Sequence, residues 1–263
     1  MEFYEHTLYS TWQLSYDHIE KENELSAKLL QLWAYFDNQD VWFEMLHHGD
    51  EDDPQWFLRL TDDILGFSQA MRVICNHGLA EVYVGSDEKV ESGGYEMHGC
   101  VHSWTMHVLN QETDMELARL ALKCVASHAP EKEASKRWIT QRRLIQHGIR
   151  CLYMAEEKLI KWEGLDWAWH RCGNLLSDQG RLEKAEKMYN RALQGYENAL
   201  GPRRVRTFMN ALNTVENLAA LYAETGRREA AREMYLRARI GIEEVLGSGC
   251  ERCERITAAI GNL

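Results

Sequence analysis

Proline is nearly missing from this sequence, with 3 in 263 residues. Turn-rich β-sandwiches need frequent chain reversals, and helix interiors exclude proline. Its scarcity beside abundant Leu, Ala, Glu, Lys and Arg therefore points to a mostly α-helical chain. Long apolar runs are missing too. No stretch reaches the ~18 residues of a membrane span, and the start, Met1-Glu2-Phe3-Tyr4-Glu5-His6, carries neither the basic nor the apolar segment of a leader. Positive charge is in deficit. Thirty Lys and Arg against 41 Asp and Glu give a formal net charge of -11, which argues against a nucleic-acid partner, because affinity for polyanions rests largely on neutralising phosphates. Neither a Gly-x4-Gly-Lys-Ser/Thr phosphate loop nor a Gly-x-Ser-x-Gly nucleophile elbow occurs. The chain alone is therefore expected to be no enzyme and to bind no cofactor.

What is present is globular composition, 45% hydrophobic and 27% charged, at a length that suggests two domains. Seven cysteines at irregular spacing read as small buried hydrophobes in a reducing, cytoplasmic setting rather than as a disulfide framework.

The C-terminal third repeats itself. A shift of 46 residues superposes Leu175-x4-Gly180-Arg181-x-Glu183-x-Ala185-x2-Met188-Tyr189-x-Arg191-Ala192 on Leu221-x4-Gly226-Arg227-x-Glu229-x-Ala231-x2-Met234-Tyr235-x-Arg237-Ala238. The match continues through Gly195/Gly241 and Leu200-Gly201/Leu246-Gly247. From 171/217 to 201/247, 13 of 31 pairs are identical, which is the mark of a structural repeat. A third copy starts at Ile260-Gly261-Asn262-Leu263, echoing Cys172-Gly173-Asn174-Leu175. Each unit reads as two helices joined at Gly180 or Gly226. The pattern resembles the tetratricopeptide repeat, specifically the longer kinesin light chain type. Residue 176 is Leu where that pattern has Tyr, and residue 248 is Ser where it has Pro. Because repeats bury their faces on one another, either residues 253–263 cap the stack or the chain is a piece of a longer solenoid. The second is the expectation.

The first half reads differently. Helical apolar spacing covers Trp12, Leu14, Tyr16 and Ile19, then Leu25 to Phe36, then Val41 to Leu46, all expected to be buried faces. An acidic run, Asp50-Glu51-Asp52-Asp53, is expected to be a solvated loop. Apolar helix period resumes from Trp56 to Cys75. The alternation Leu79–Val84 and the stretch Gly94-Tyr95-Glu96-Met97-His98 predict a β-hairpin, giving three helices and a two-stranded wing. Helices at 115–127 and 136–160 follow. The second carries Trp138, Leu144, Ile145, Ile149, Leu152 and Tyr153 on its stripe. Lys132, Lys136, Arg137, Arg142, Arg143 and Arg150 cluster here and are expected to be salt-bridged.

Thr11-Trp12-x-Leu14-Ser15-Tyr16-Asp17-x-Ile19, Ala27-x-Leu29-Leu30-x-Leu32-Trp33-Ala34-Tyr35-Phe36 and Tyr95-x-Met97-His98-x-x-Val101-His102-x-Trp104 together resemble the winged-helix segment of fungal NLR-type (STAND/NB-ARC) signalling NTPases, in which kinesin-light-chain-like repeats commonly follow. The resemblance implies a winged-helix-like domain over 1–130, bridging helices over 131–164 and a tetratricopeptide α-solenoid over 165–263. It also places His98 where the family sets a histidine against the phosphates of ADP. Gly99 stands where the family has aspartate, and local capping by His98 is the competing reading.

His98, Cys100, His102 and His107 have zinc-ligand chemistry, as does half of a motif at Cys250-x2-Cys253, but no metal is expected at either. The expected partner surface is the concave side of the repeats. There Trp167, His170, Arg171, Asn174 and Asp178 of unit one, and Asn213, Glu216, Asn217, Ala220 and Glu224 of unit two, lie three or four residues apart. Their amides and guanidinium suit a peptide backbone or carboxylate. The implied function is a non-catalytic regulatory and protein-interaction module of an NLR-like NTPase, binding a protein or peptide or an upstream nucleotide-binding domain. A stand-alone kinesin-light-chain-like adaptor is the alternative.

Overall fold

A computed structural model of the chain describes residues 2–48, 50–83, 93–131, 137–157 and 163–263. It is mostly α-helical with one small two-stranded sheet, and it divides into two compact units, Met1–Lys161 and Trp162–Leu263.

The first unit opens with α1 (Glu2–Glu22) and α2 (Glu24–Trp33). Asn23 separates them and caps α2, its side chain accepting from the Ser26 amide at 3.1 Å. Ala27, Leu29, Leu30, Leu32 and Trp33 are all buried; a helix apolar on nearly every side must sit at a core centre. The Ser26 hydroxyl donates to the Ala70 carbonyl at 3.0 Å, tying α2 to the segment that precedes the sheet. The short α3 (Phe43–Leu46), then α4 (Gln55–Thr61) and α5 (Ile64–Asn76), complete the helices before the sheet.

The segment 56–75 is thus two helices, not one continuous period. The Asp63 side chain accepts from the Gly66 amide at 2.6 Å and starts α5 afresh, which leaves Ile64 and Leu65 exposed while Phe57, Leu60 and Phe67 are buried. Leu14 also departs from expectation at 60% exposed. On the same helix Tyr16 and Ile19 are buried.

Strands β1 (Glu81–Tyr83) and β2 (Gly94–Glu96) pair antiparallel, Val82 opposite Tyr95. Val84 and the turn beyond it lie outside the described residues. Val41 adds a third contact on the far side of β2, exchanging both backbone hydrogen bonds with Tyr95 at 2.8 and 2.9 Å. After β2 come α6 (Gly99–Trp104), running into a π-helical turn at Thr105–Leu109, then α7 (Met115–His128) and α8 (Arg137–Glu156).

Long-range polar ties hold this unit. Arg143 of α8 meets the Asp40 carboxylate in a fork, Nε to Oδ2 at 2.8 Å and Nη2 to Oδ1 at 2.7 Å, while its guanidinium lies 3.9 Å from the centre of the Trp42 ring. Gly94 is required beside this pair, since a β-carbon there would come within 2.1 Å of Asp40 Oδ1. His147 accepts from the Asp37 amide through Nδ1 at 3.1 Å. Its Nε2 therefore carries the proton and donates to the Asp40 carbonyl at 3.2 Å. His102 reaches the Phe36 carbonyl at 3.0 Å. Burial pushes the imidazoles of His102 and His147 below their ordinary pKa.

The basic cluster of α8 is only partly the expected ion-pair network. Arg143 is paired with Asp40, but Arg150 donates to the Ala34 carbonyl at 3.2 Å and contacts Met106 Sδ. Lys132, Lys136 and residues 158–160 lie outside the described residues. Trp138 and Tyr153, predicted on the apolar stripe, are half exposed, whereas Leu144 and Leu152 are buried.

The second unit is a run of helices: α9 (Asp166–Asp178), α10 (Leu182–Arg204), α11 (Met209–Glu224), α12 (Arg228–Leu246) and α13 (Glu251–Gly261). Each packs on the next. Gly180 and Gly226 close the turns inside the helix pairs at φ +68° and +75°, a region open to glycine at little cost. The repeated pair Gly195/Gly241, and Gly173, whose counterpart is Ala219, serve close packing. A β-carbon on Gly173 would lie 2.6 Å from the Tyr189 ring, and one on Gly241 would lie 2.2 Å from the Arg206 carbonyl oxygen. The helical path of α10 breaks at Gly201, one residue before Pro202, and α12 ends at the equivalent place, Gly247. The 46-residue repeat is therefore physical: glycine recurs at the turns, 180 and 226, and at the close approaches, 195 and 241.

Candidate functional site

The first helices of the two complete repeats, α9 and α11, carry the residues expected to meet a partner. His170 and Asn174 stand one turn apart on α9, with Trp167, Arg171 and Asp178 at the flanking helical positions. Thr214 and Asn217 face them from α11, where Asn213, Glu216, Ala220 and Glu224 complete the set.

The structure joins the centre of this set into one hydrogen-bonded chain. Asn174 Oδ1 accepts from the Tyr189 hydroxyl at 2.9 Å and from Asn217 Nδ2 at 2.8 Å. Asn174 Nδ2 points at His170 Nε2 at 3.3 Å, and His170 Nδ1 lies 2.9 Å from Thr214 Oγ1. The proton of Thr214 is already committed to the Asn210 carbonyl at 2.9 Å. His170 must then donate from Nδ1 to Thr214 and accept at Nε2 from Asn174, so the ladder is closed by a neutral imidazole in a single tautomer. Burial pushes the Tyr189 hydroxyl well above the usual phenol range, keeping it a donor.

A second link continues to α13. Arg252 Nε donates to Glu216 Oε2 at 2.7 Å, and its Nη2 donates to Asn213 Oδ1 at 2.6 Å. Asn174 and Asn217 are bonded to each other, and Asn213 and Glu216 to Arg252, which aligns three successive first helices. Trp167 and Arg171 are half-buried, and Asp178, Ala220 and Glu224 are exposed. Around this internally bonded amide centre stand one aromatic, Trp167, one cation, Arg171, and two carboxylates, Asp178 and Glu224.

Among the described residues His98, Cys100, His102 and His107 do not come together as a ligand cluster. His98 is exposed, and its Nδ1 accepts from the Cys100 amide at 3.3 Å as the cap of α6, in line with the local-capping reading. His102 is buried against the Phe36 carbonyl, and His107 is exposed.

Two features escaped the sequence. The acidic run is not wholly solvated, because Asp53 is 6% exposed. His48 Nε2 lies 2.6 Å from Asp53 Oδ2 without hydrogen-bond alignment, and the Lys123 ammonium contacts both Asp50 and Asp53. His48, Asp50 and Asp53 could each offer a ligand atom to a metal ion. The Lys123 ammonium, however, already bridges the two carboxylates and offsets half of their charge. Hydrogen bonding to Lys123 holds the Asp50 carboxyl below its ordinary pKa. Lys123 is 70 residues from Asp53, so local pattern could not pair them. The second feature is a cavity of about 620 Å³ in the repeats, walled by Val205, Leu212, Val215, Ile240 and Gly241, with the Arg237–Glu197 ion pair of 2.6 Å among its lining residues. Its only sequence signal was the small residue Gly241 opposite the long connection after Pro202.

Residues 164–239 match the tetratricopeptide repeat family, a stretch that is less than a third of the chain and spans α9 to most of α12. Repeats of this family form protein-interaction surfaces. No curated protein and no solved structure matches the chain. No helix among the described residues is long and apolar enough to cross a membrane.

Proposed function

We propose that the chain is a non-catalytic protein-interaction module whose repeats take a protein or peptide partner on the face of their first helices. The observation that carries this reading is the bonded row from Tyr189 through Asn174 and His170 to Asn217 and Thr214. It fixes α9 against α11 and so sets the spacing of Trp167, Arg171 and Glu224. Rigid placement of an aromatic and a cation lowers the ordering cost of binding. Panning a displayed random-peptide library on the full chain tests it. Peptides enriched on the wild type are expected to lose binding to a Trp167→Ala, Arg171→Ala variant of unchanged circular dichroism. Equal recovery on both would sink the reading.

The proposal extends to context. The order α2, Val41 bridge, α4, α5, β1, β2, with β2 between Val41 and β1, supports a winged-helix-like first unit, and hence a regulatory region of an NLR-like signalling NTPase. In that setting the partner face would serve a ligand or the nucleotide-binding core, and His98 would face its nucleotide. A transcript that encodes no phosphate loop upstream of Met1 would refute this extension. The second reading is a stand-alone kinesin-light-chain-like adaptor working in a cytoplasmic setting. It draws on the same repeats, residues 164–239, as the first reading does.

A further inference from the structure

The turn between α12 and α13 holds two thiols that the partner-binding reading does not use. Cys250 is the N-cap of α13, its Sγ accepting from the Cys253 amide at 3.2 Å. Cys253 lies in the first helical turn, and the two sulfurs are 2.8 Å apart. Cys250 is half-buried while Cys253 is 5% exposed and directs its thiol toward the Gly247 carbonyl at 3.7 Å. Three of the other five cysteines, Cys124, Cys151 and Cys172, are buried. A pair of this kind differs from a lone cysteine. The outer sulfur is only half-buried at the start of α13, where it accepts from the Cys253 amide, and it has a resolving sulfur already in contact.

We propose that Cys250 and Cys253 are a redox modification site, closing reversibly to an intrachain disulfide by exchange with a small disulfide of the glutathione class. Cys250 loses its proton to solvent, and its thiolate attacks one sulfur of oxidised glutathione. The S–S bond of that molecule breaks, and one glutathione thiolate leaves with the electron pair. Cys253, deprotonated in turn, attacks the Cys250 sulfur of the mixed disulfide and expels the second glutathione. Two protein thiols are oxidised, one glutathione disulfide is reduced to two thiols, and the two protons end on the released glutathione. The closed form ties the cap of α13 to its own first turn, directly around Arg252, whose bonds reach Glu216 and Asn213. The inference does not depend on what the repeats bind.

The test is titration of the full chain with oxidised glutathione, followed by alkylation of remaining thiols and peptide mapping. In the wild type the 250–253 peptide is expected to lose two hydrogens and resist alkylation, returning to the dithiol with excess reduced glutathione. Cys253→Ser removes the resolving thiol and should trap glutathione on Cys250, at about tenfold the level seen in the wild type. Cys253→Ala serves the same purpose if a hydroxyl at this buried position unfolds α13. Cys100→Ser, an exposed thiol elsewhere, should change nothing at 250–253. Two results would overturn the proposal: both cysteines remaining alkylatable at a glutathione disulfide level that modifies Cys100, or stable glutathione on Cys250 of the wild type.

Discussion

The two units solve the same packing problem by different means. The repeats use periodic small residues, so that Gly173 admits the Tyr189 ring and Gly241 admits the backbone at Arg206. The first unit uses single polar ties between residues far apart in sequence, such as Arg143 to Asp40 and His147 to Asp37 and Asp40. Repetition spreads stability over many similar contacts, whereas unique ties concentrate it in a few. The contrast predicts that the first unit fails sharply at named polar groups and the second fails at glycines.

The largest effect is expected at Arg143→Ala. It strands the Asp40 carboxylate, which is 9% exposed and held at φ +51°. Breaking one side of a buried pair costs about 3–5 kcal/mol. Chemical denaturation followed by tryptophan fluorescence reads it. A loss below about 1 kcal/mol would show that the tie is ornamental and that the first unit, like the second, is held by distributed contacts.

Gly241→Ala should come next, at about 1–3 kcal/mol, because its new methyl meets a backbone oxygen that no rotamer change can remove. Gly261→Ala, with open space around it, is the control and should be neutral or slightly stabilising. Equal effects at both positions would mean that glycine spacing in the repeats reflects helix propensity rather than close approach.

Acid separates the units by a third route. His102 and His147 have folded-state pKa values below the unfolded one because burial disfavours their charged forms. Below the unfolded value of about 6.5 the unfolded chain takes up protons that the folded chain refuses. Stability of the first unit is therefore full above that pH and falls as pH drops through it, by up to about 1.4 kcal/mol per pH unit for each histidine. Hydrogen exchange on α2, α6 and α8 should quicken between pH 6.5 and 5.5, with α12 as the internal reference. Uniform acceleration across both units would remove the distinction.

How much of this was legible follows from the same contrast. The repeat boundaries, the turns at Gly180 and Gly226, and the row of first-helix residues could be read because repetition makes position visible. That the row bonds to itself could not be read. Asn174 and Asn217 are 43 residues apart, and whether an amide points out or across depends on the helix crossing. In the first unit the helices and hairpin were legible from apolar period and alternation. The break at Asp63 was hidden because a capping aspartate inside an apolar period looks like one more exposed polar position. Burial of Asp53 was hidden because its counter-charge, Lys123, comes from α7.

The smallest and most informative expectation concerns Asn174→Ala. If the amide were only a partner contact, its loss would leave the fold untouched. Its bonds with Tyr189, Asn217 and His170 predict instead a loss of about 1 kcal/mol, with the buried Tyr189 hydroxyl stranded. Tyr189→Phe in the same background should then cost less than it does in the wild type, because the hydroxyl it removes has already lost its acceptor. The imidazole supplies an independent readout. Nitrogen chemical shifts of His170 in the wild type should report the neutral ring protonated at Nδ1, and the variant should lose that single-tautomer signature because nothing then donates to Nε2. A wild-type His170 found as a mixture of tautomers would break the ladder at its hinge. The polar tie of α9 to α11 through His170 and Thr214 would then be lost, leaving the Asn174–Asn217 bond as the link between the two first helices.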